Sequence, residues 1–326
     1  MHPAFSVLFL TTFIGAGQGL FLALYTAQIF TLGGLLPTQG GRDFYVIGSL
    51  LALAWLVAGL FASFFHLGHP ERAWRTATRW RSSWLSREVL VLPAFIVAVA
   101  VYGAAHWLGG GQVVLTLNGT HALDVSMLAG VVAMGLAFLL FLCTGMVYAD
   151  VHLLQEWRHW LTVINFTLLG AASGFTLATG IAALYSPTLT SFFAAWAMVL
   201  TLAAAVFRVV TLIRNHYLRQ RSSLRTAIGI RHHQITQMTQ GFMGGSFNTR
   251  EFFHGRSLRF VATIRNVFLV LVFFAPVLLL AAAWWYATPA LAVTAFFAQI
   301  LGLLAERWHF FAQARHPQNL YYQSVA

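Results

Sequence analysis

Residues 65–89 read FHLGHPERAWRTATRWRSSWLSREV, and two residues in this stretch that can exchange protons sit where apolar sequence stops and starts again. His66 ends one apolar run and Glu88 opens the next. A histidine titrates near neutrality, at about 6.5 when unperturbed, and a carboxylate drawn toward hydrocarbon is costly unless it is paired or functional. Such a pair could give and take protons at a membrane boundary. A structural reading stands beside that one: Arg72 or Arg87 could neutralise Glu88 as an ion pair. The other arginines and tryptophans of the stretch suit a headgroup layer by themselves, because a snorkelling guanidinium or an amphipathic ring is stable there.

The elements that must position these residues are long and apolar. The 326 residues are 59% hydrophobic and only 8% charged, with a mean hydropathy of +0.74, outside the range of a water-soluble domain. Eight runs are each long enough to cross a bilayer core as a helix: Phe5 to Leu35, Phe44 to Phe65, Val89 to Leu108, Met127 to Tyr148, Leu161 to Tyr185, Phe192 to Ile213, Phe260 to Tyr286 and Leu291 to Trp308. They are continuous, whereas barrel strands alternate every second residue. The sequence therefore predicts an all-α polytopic membrane bundle, a single anchor-like domain over residues 1–326 with no internal repeat. The start, MHPAFSVLFL, lacks a basic residue before its apolar run and is read as the first span, not a cleaved leader.

All 19 basic residues are arginine, and sixteen fall on the side that holds both termini of an eight-span chain. Arg42 lies on the other side, and Arg208 and Arg265 lie within spans, as interior ion-pair partners or site residues. The positive-inside bias places the arginine side, with both termini, in the cytoplasm. The basic balance reflects topology and contacts with lipid or protein, with no implication of nucleic acid. Connections on the arginine side are the longer and chemically mixed ones, at about 66–88, 149–160 and 214–259, with a tail over 309–326. Those on the opposite side, such as GGGQVVLTLNGTHALD, are short or bland.

Cys143 is the only cysteine, so the chain can hold neither an iron–sulfur cluster nor a covalently attached c-type haem. A b-type haem would need two facing axial histidines inside the spans, and the thirteen histidines read as span-end or loop residues.

The segments HLGHPERAWR and RSSWLSREV, together with GAGQG at Gly15 to Gly19, GGSFNTREFFHG at Gly244 to Gly255 and ARHPQNLYY, resemble in order and over the whole chain the membrane anchor subunits of DMSO reductase-type molybdoenzymes. The resemblance implies an eight-helix inner-membrane protein without redox metal of its own. It also implies a bound quinone (ubiquinone or menaquinone), and docking to an iron–sulfur subunit that leads to a molybdopterin catalytic subunit. In that family the quinone site includes the positions matched by His66 and Glu88. Arg72 and Arg87 beside them are further quinone-binding candidates, as are Gln18 and Gly15 of the first span, where close helix packing is the competing account. For partner docking the candidates are Phe247, Asn248, Arg250, Phe252 and Phe253, in a segment of glycines, aromatics and arginine suited to a protein interface. Packing of that loop on its own bundle is the alternative.

A cytoplasmic docking face is similar to that of the anchors of cytoplasm-facing sulfite dehydrogenases, which implies electron flow from sulfite to quinone. The alternative within the family is a reductase anchor that oxidises menaquinol. A secondary transporter is the alternative from another class, although such proteins show repeats and polar groups at the midplane. Topology reporters fused near Asn118 and after Tyr322 are expected to lie on opposite sides, with the tail cytoplasmic; a cytoplasmic Asn118 loop would reverse the orientation.

Overall fold

The computed structural model describes residues 1–36, 41–109, 113–117, 121–236, 238, 251–286 and 288–321. Phe247, Asn248, Arg250, Asn118 and Tyr322 lie outside the described residues. Eight helices are long and apolar enough to span a membrane. They are α1 (Phe5–Leu32), α2 (Arg42–Ser63), α3 (Trp84–Trp107), α4 (Val125–Ala149), α5 (Trp160–Tyr185), α6 (Thr190–His216), α7 (Leu258–Tyr286) and α8 (Pro289–Ala312). The all-α bundle expected from composition is what the chain forms.

The helices α1 and α5 are the centre of it. Of the most apolar window of each, 78% is buried, against 28–44% for the other six spans. Around this pair, α2, α3 and α4 pack in sequence on one flank, while α6, α7 and α8 pack on the other. Glycine makes the central crossing possible. A Cβ on Gly19 would come within 2.1 Å of Gly170 O, and one on Gly174 within 1.9 Å of Gly19 C. Gly15 faces Gly170 Cα at 3.4 Å, and Gly17 faces α2 at Leu56 and Ala52 O. Small residues four apart on both helices let the backbones meet, which substitutes van der Waals contact for the hydrophobic drive that lipid does not supply.

Two proline and cap effects shape the outer helices. Pro276 has no N–H for the carbonyl of Val272, and the turn Val270–Phe274 just before it is a π-turn. The buried amide of Gln299 on α8 donates to Val272 O at 3.3 Å, so the freed acceptor is satisfied. Ser83 caps α3 by accepting from Ser86 N at 3.4 Å. The helix thus begins at Trp84, a turn earlier than the sequence predicts, and Glu88 lies inside it.

Further boundaries differ from the sequence reading. The last span runs to Ala312, so Arg307 and His309, expected near a loop, are buried helix residues. His106 is likewise buried in α3, stacked on Tyr45 at 4.3 Å. Each ring packs on aromatic side chains, His106 on Tyr45 and Tyr102 and His309 on Phe268, contacts that the sequence does not signal. The connection after α3, read as bland, forms a β-hairpin, β1 (Val113–Leu117) with β2 (His121–Asp124), in antiparallel register Thr116 to Ala122. Residues 70–79 form a 3₁₀ helix, where residues three apart eclipse, so Arg72 and Arg75 share a ridge beside that of Trp74 and Ala77.

Replacing Gly174 by valine is expected to abolish the α1–α5 crossing and cost at least the ~1–3 kcal/mol of ordinary overpacking. Gly135→Val, at an exposed position with nothing within 4 Å, is expected to leave thermal unfolding in detergent unchanged.

Candidate functional site

The connections at the arginine end close on one another. The Met1 amine donates to Ala314 O at 2.9 Å, Arg214 at the end of α6 donates to Gln155 O at 3.1 Å, and Asn319 of the tail donates to Phe252 O at 3.0 Å. The chain start, the described part of the tail and the described connections after α4 and α6 therefore share an end of the bundle with His66 and Glu88.

Glu88 is half-buried and faces α4, where Thr144 Oγ1 donates to its Oε1 at 2.6 Å. No cation neutralises it among the described residues. Arg87 turns the other way, donating from Nε to Trp80 O and from Nη2 to Arg81 O, both at 2.9 Å, with its guanidinium 4.2 Å from the Trp84 ring. Arg72 is exposed and approaches Glu71 at 3.7 Å. The ion pair considered for Glu88 from sequence does not form; Arg87 instead ties the start of α3 to the turn at Trp80 and Arg81. A carboxylate at this depth without a counter-ion is the arrangement expected of a group that takes up and releases a proton.

His66 closes the short 3₁₀ turn after α2 and is exposed, with no hydrogen bond or ion pair to Glu88. An apolar groove of about 500 Å³ runs between α1 and α2 and ends at its neighbour Phe65, with Phe5, Phe9, Phe13 and Phe61 along it. His66, Glu88 and the groove share one end of the bundle, because α2 and α3 are adjacent and antiparallel.

Gln18 and Gly15 are elsewhere. The Gln18 amide is buried and donates to Ala137 O of α4 at 3.0 Å, and Gly15 lies in the α1–α5 crossing. Gln18 is mid-helix, so the competing account from sequence, helix packing, describes both. Phe252 also packs on its own chain: its ring stacks on His316 at 3.8 Å. It and Phe253 line a cavity of about 730 Å³ at the arginine end. Burial and the positive chain start hold His254 and His316, which also line it, below the ordinary histidine value.

Sequence reasoning missed a buried ion cluster. Glu306 Oε1 lies 2.8 Å from Arg208 Nη2, and Arg307 Nη1 donates to Glu306 Oε2 at 2.9 Å, all three groups being at most 4% exposed. Arg307 lies 3.7 Å from the centroid of Phe166 and Arg208 5.4 Å from that of Phe268, so each charge has an aromatic face as well. Arg208 is thus an ion-pair partner, one of the two roles open to it from sequence. The signal for Glu306 was a carboxylate within an apolar run; Thr144 offered none, since helix threonines commonly bond their own backbone. Among the described residues, no group of three or more His, Cys, Asp or Glu could hold a metal ion.

Eight spans, packed around a glycine-rich pair, with the chain start and the described tail at one end, define a membrane anchor, and the chain belongs to the DMSO reductase anchor subunit (DmsC) family, matching it over residues 1–312. It is 53% identical to a subunit of the sulfite dehydrogenase of Allochromatium vinosum, with all of both chains covered. It is thus an integral membrane anchor subunit of an oxidoreductase complex.

Glu306→Ala would strand two buried guanidinium groups and is expected to destabilise the bundle by about 3–5 kcal/mol, read as a drop in detergent unfolding temperature. The double change Glu306→Leu with Arg208→Met is expected to recover much of that loss, which a purely additive result would contradict.

Proposed function

We propose that this chain links an iron–sulfur partner subunit to the membrane quinone pool in a molybdopterin-containing sulfite dehydrogenase, at the inner membrane with its arginine end in the cytoplasm. The observation that carries the reading is Glu88, a half-buried carboxylate held by Thr144 alone and unpaired with any cation among the described residues. Membership of the anchor family and the name of the relative from Allochromatium vinosum support the partner subunits and the sulfite-to-quinone direction.

Quinone, when bound, supplies a two-electron, two-proton acceptor. The chain offers what such a group requires. Glu88 Oε1 is fixed by the Thr144 hydroxyl, which orients Oε2 to hold the exchangeable proton. The His66 ring, at the exposed end of α2, passes protons between that region and the cytoplasm. The groove lined by Phe5, Phe9, Phe13 and Phe61 is open to lipid and suits an isoprenoid chain. Arg87, bonded to Trp80 O and Arg81 O, fixes the turn between the 3₁₀ segment and α3 without discharging the carboxylate. Partner docking falls to the arginine face, including the segment that carries Phe247, Asn248, Arg250, Phe252 and Phe253.

Glu88→Gln keeps an acceptor for Thr144 and removes the titrating group. It is expected to lower quinone-linked sulfite oxidation by roughly 100-fold, the scale of general acid–base catalysis, while turnover with a soluble dye is unchanged. His66→Gln is expected to act in the same sense. Loss of both activities together would mark these residues as structural, and full quinone-linked turnover in both variants would refute the site.

A further inference from the structure

The cavity of about 730 Å³ at the arginine end has a cause in the packing of α7. This helix lies on α8 along its length but reaches α6 mainly from the π-turn onward, so its first turns stand away from the end of α6. Leu212 and His216 of α6 and Leu258, Val261 and Arg265 of α7 face each other across the gap, with His309 of α8 also lining it.

The gap is unbalanced in charge. Arg221, Arg265 and Arg315 line it, and none has an ion pair among the described residues; Glu156 is the only carboxylate among the described lining residues. Arg265 has only a 3.5 Å contact from Nε to Asn266 Oδ1. His309 is 5% exposed and its Nδ1 has no hydrogen-bond partner. It lies within electrostatic range of both Arg208 and Arg265, which ties the cavity to the buried ion cluster behind it. That cluster sets two arginines against one glutamate and leaves one positive charge over. Positive charge at membrane depth is costly until an anion meets it.

We propose that this cavity binds the phosphodiester headgroup of an anionic phospholipid, with Arg265 as its principal contact. Position favours a lipid over a soluble anion. Arg265 is seven residues past Leu258, or about 10 Å along the helix, so its ligand must enter beside hydrocarbon. The outward sides of the same two helices are apolar, with Val206, Val210 and Ile213 exposed on α6 and Val267, Val270 and Phe274 on α7, so lipid surrounds the cavity's outer edge. Basic pockets between spans at the cytoplasmic side have this ligand chemistry, and guanidinium meets phosphate through paired, charge-assisted hydrogen bonds. The assignment is independent of the quinone reading, which concerns α2, α3 and α4.

The test uses the complex as it purifies from membranes in mild detergent. Wild-type protein is expected to retain anionic phospholipid through detergent washing, measured by mass spectrometry of extracted lipid. It is also expected to unfold at a higher temperature in nanodiscs containing phosphatidylglycerol than in phosphatidylcholine alone. Arg265→Gln should lower retention about tenfold, the loss of one charge-assisted hydrogen bond, and remove the phosphatidylglycerol effect. Arg265→Lys should keep most of both. Arg265 is exposed, so these changes leave the core intact, and Arg315→Gln provides a second variant outside the spans. Equal stability in the two lipids would overturn the proposal. So would equal stabilisation by inorganic phosphate, which would mean a free-anion site. An Arg265→Gln protein that keeps its lipid but loses its partner subunits would also overturn it, by assigning the cavity to a protein interface.

Discussion

The approach of α1 to α5 sets the positions of everything else. Backbone meets backbone where Gly15 and Gly19 face Gly170 and Gly174, and any larger residue at the tightest points would overlap main-chain atoms. Lipid offers no hydrophobic gain for bringing two apolar helices together, so close dispersion contact along a glycine seam must hold the pair. Once the pair is fixed, α2 to α4 have one flank on which to pack and α6 to α8 the other. Glu88 and Thr144 belong to the first flank. Arg208, Glu306 and Arg307 belong to the second.

These two flanks handle buried charge in opposite ways at the same end of the bundle. The second surrounds its carboxylate with two guanidinium groups and covers those with Phe166 and Phe268, so that Glu306 is fixed in place. The first gives Glu88 a hydroxyl and no cation. Tyr148 lies between them, within electrostatic range of both Glu88 and Arg307, and packs among Trp157, Phe166, Phe310 and Phe311. This aromatic cluster lies between the surplus positive charge of one flank and the carboxylate of the other. An ion-paired carboxylate and one without a cation partner among the described residues thus coexist in one bundle end.

Much of this was legible in the sequence because a bilayer allows few solutions. Continuous apolar runs of span length predict helices, and all eight exist within a few residues of their expected ends. The glycine seam was legible as GAGQG, although its partner, Gly170 with Gly174, was not, since small residues in α5 carry no mark of which helix they face. His66 and Glu88 stood out as polar groups at apolar boundaries. What sequence could not supply was direction. Arg87 sits beside Glu88 in the chain, yet consecutive helix residues point apart by about 100°, and its guanidinium goes to Trp80 O and Arg81 O. Glu306 and Arg208 are far apart in the chain, and only packing of α6 against its neighbours shows them to be one cluster. Gln18 was a ligand candidate by residue type, and only the packing shows its amide bonded across to α4.

The middle of the bundle bears on what the proposed chemistry can accomplish. Four polar side chains near the α1–α5 crossing are bound within the protein: Ser173 donates to Gly170 O, Thr176 to Ala172 O, Thr179 to Phe175 O and Gln18 to Ala137 O. Each hydroxyl donor is thus held by its own helix, and Phe21, Phe95, Leu92 and Leu140 fill the space toward the buried His106 and Tyr102 at the far end. A proton relay needs donors that can turn from one acceptor to the next, and these are fixed. Under the proposed function, these four groups carry no proton to Glu88, and the exposed His66 at the same end of the bundle is the nearer source. Reduction of quinone at that end would then draw its protons from the end at which the iron–sulfur partner docks.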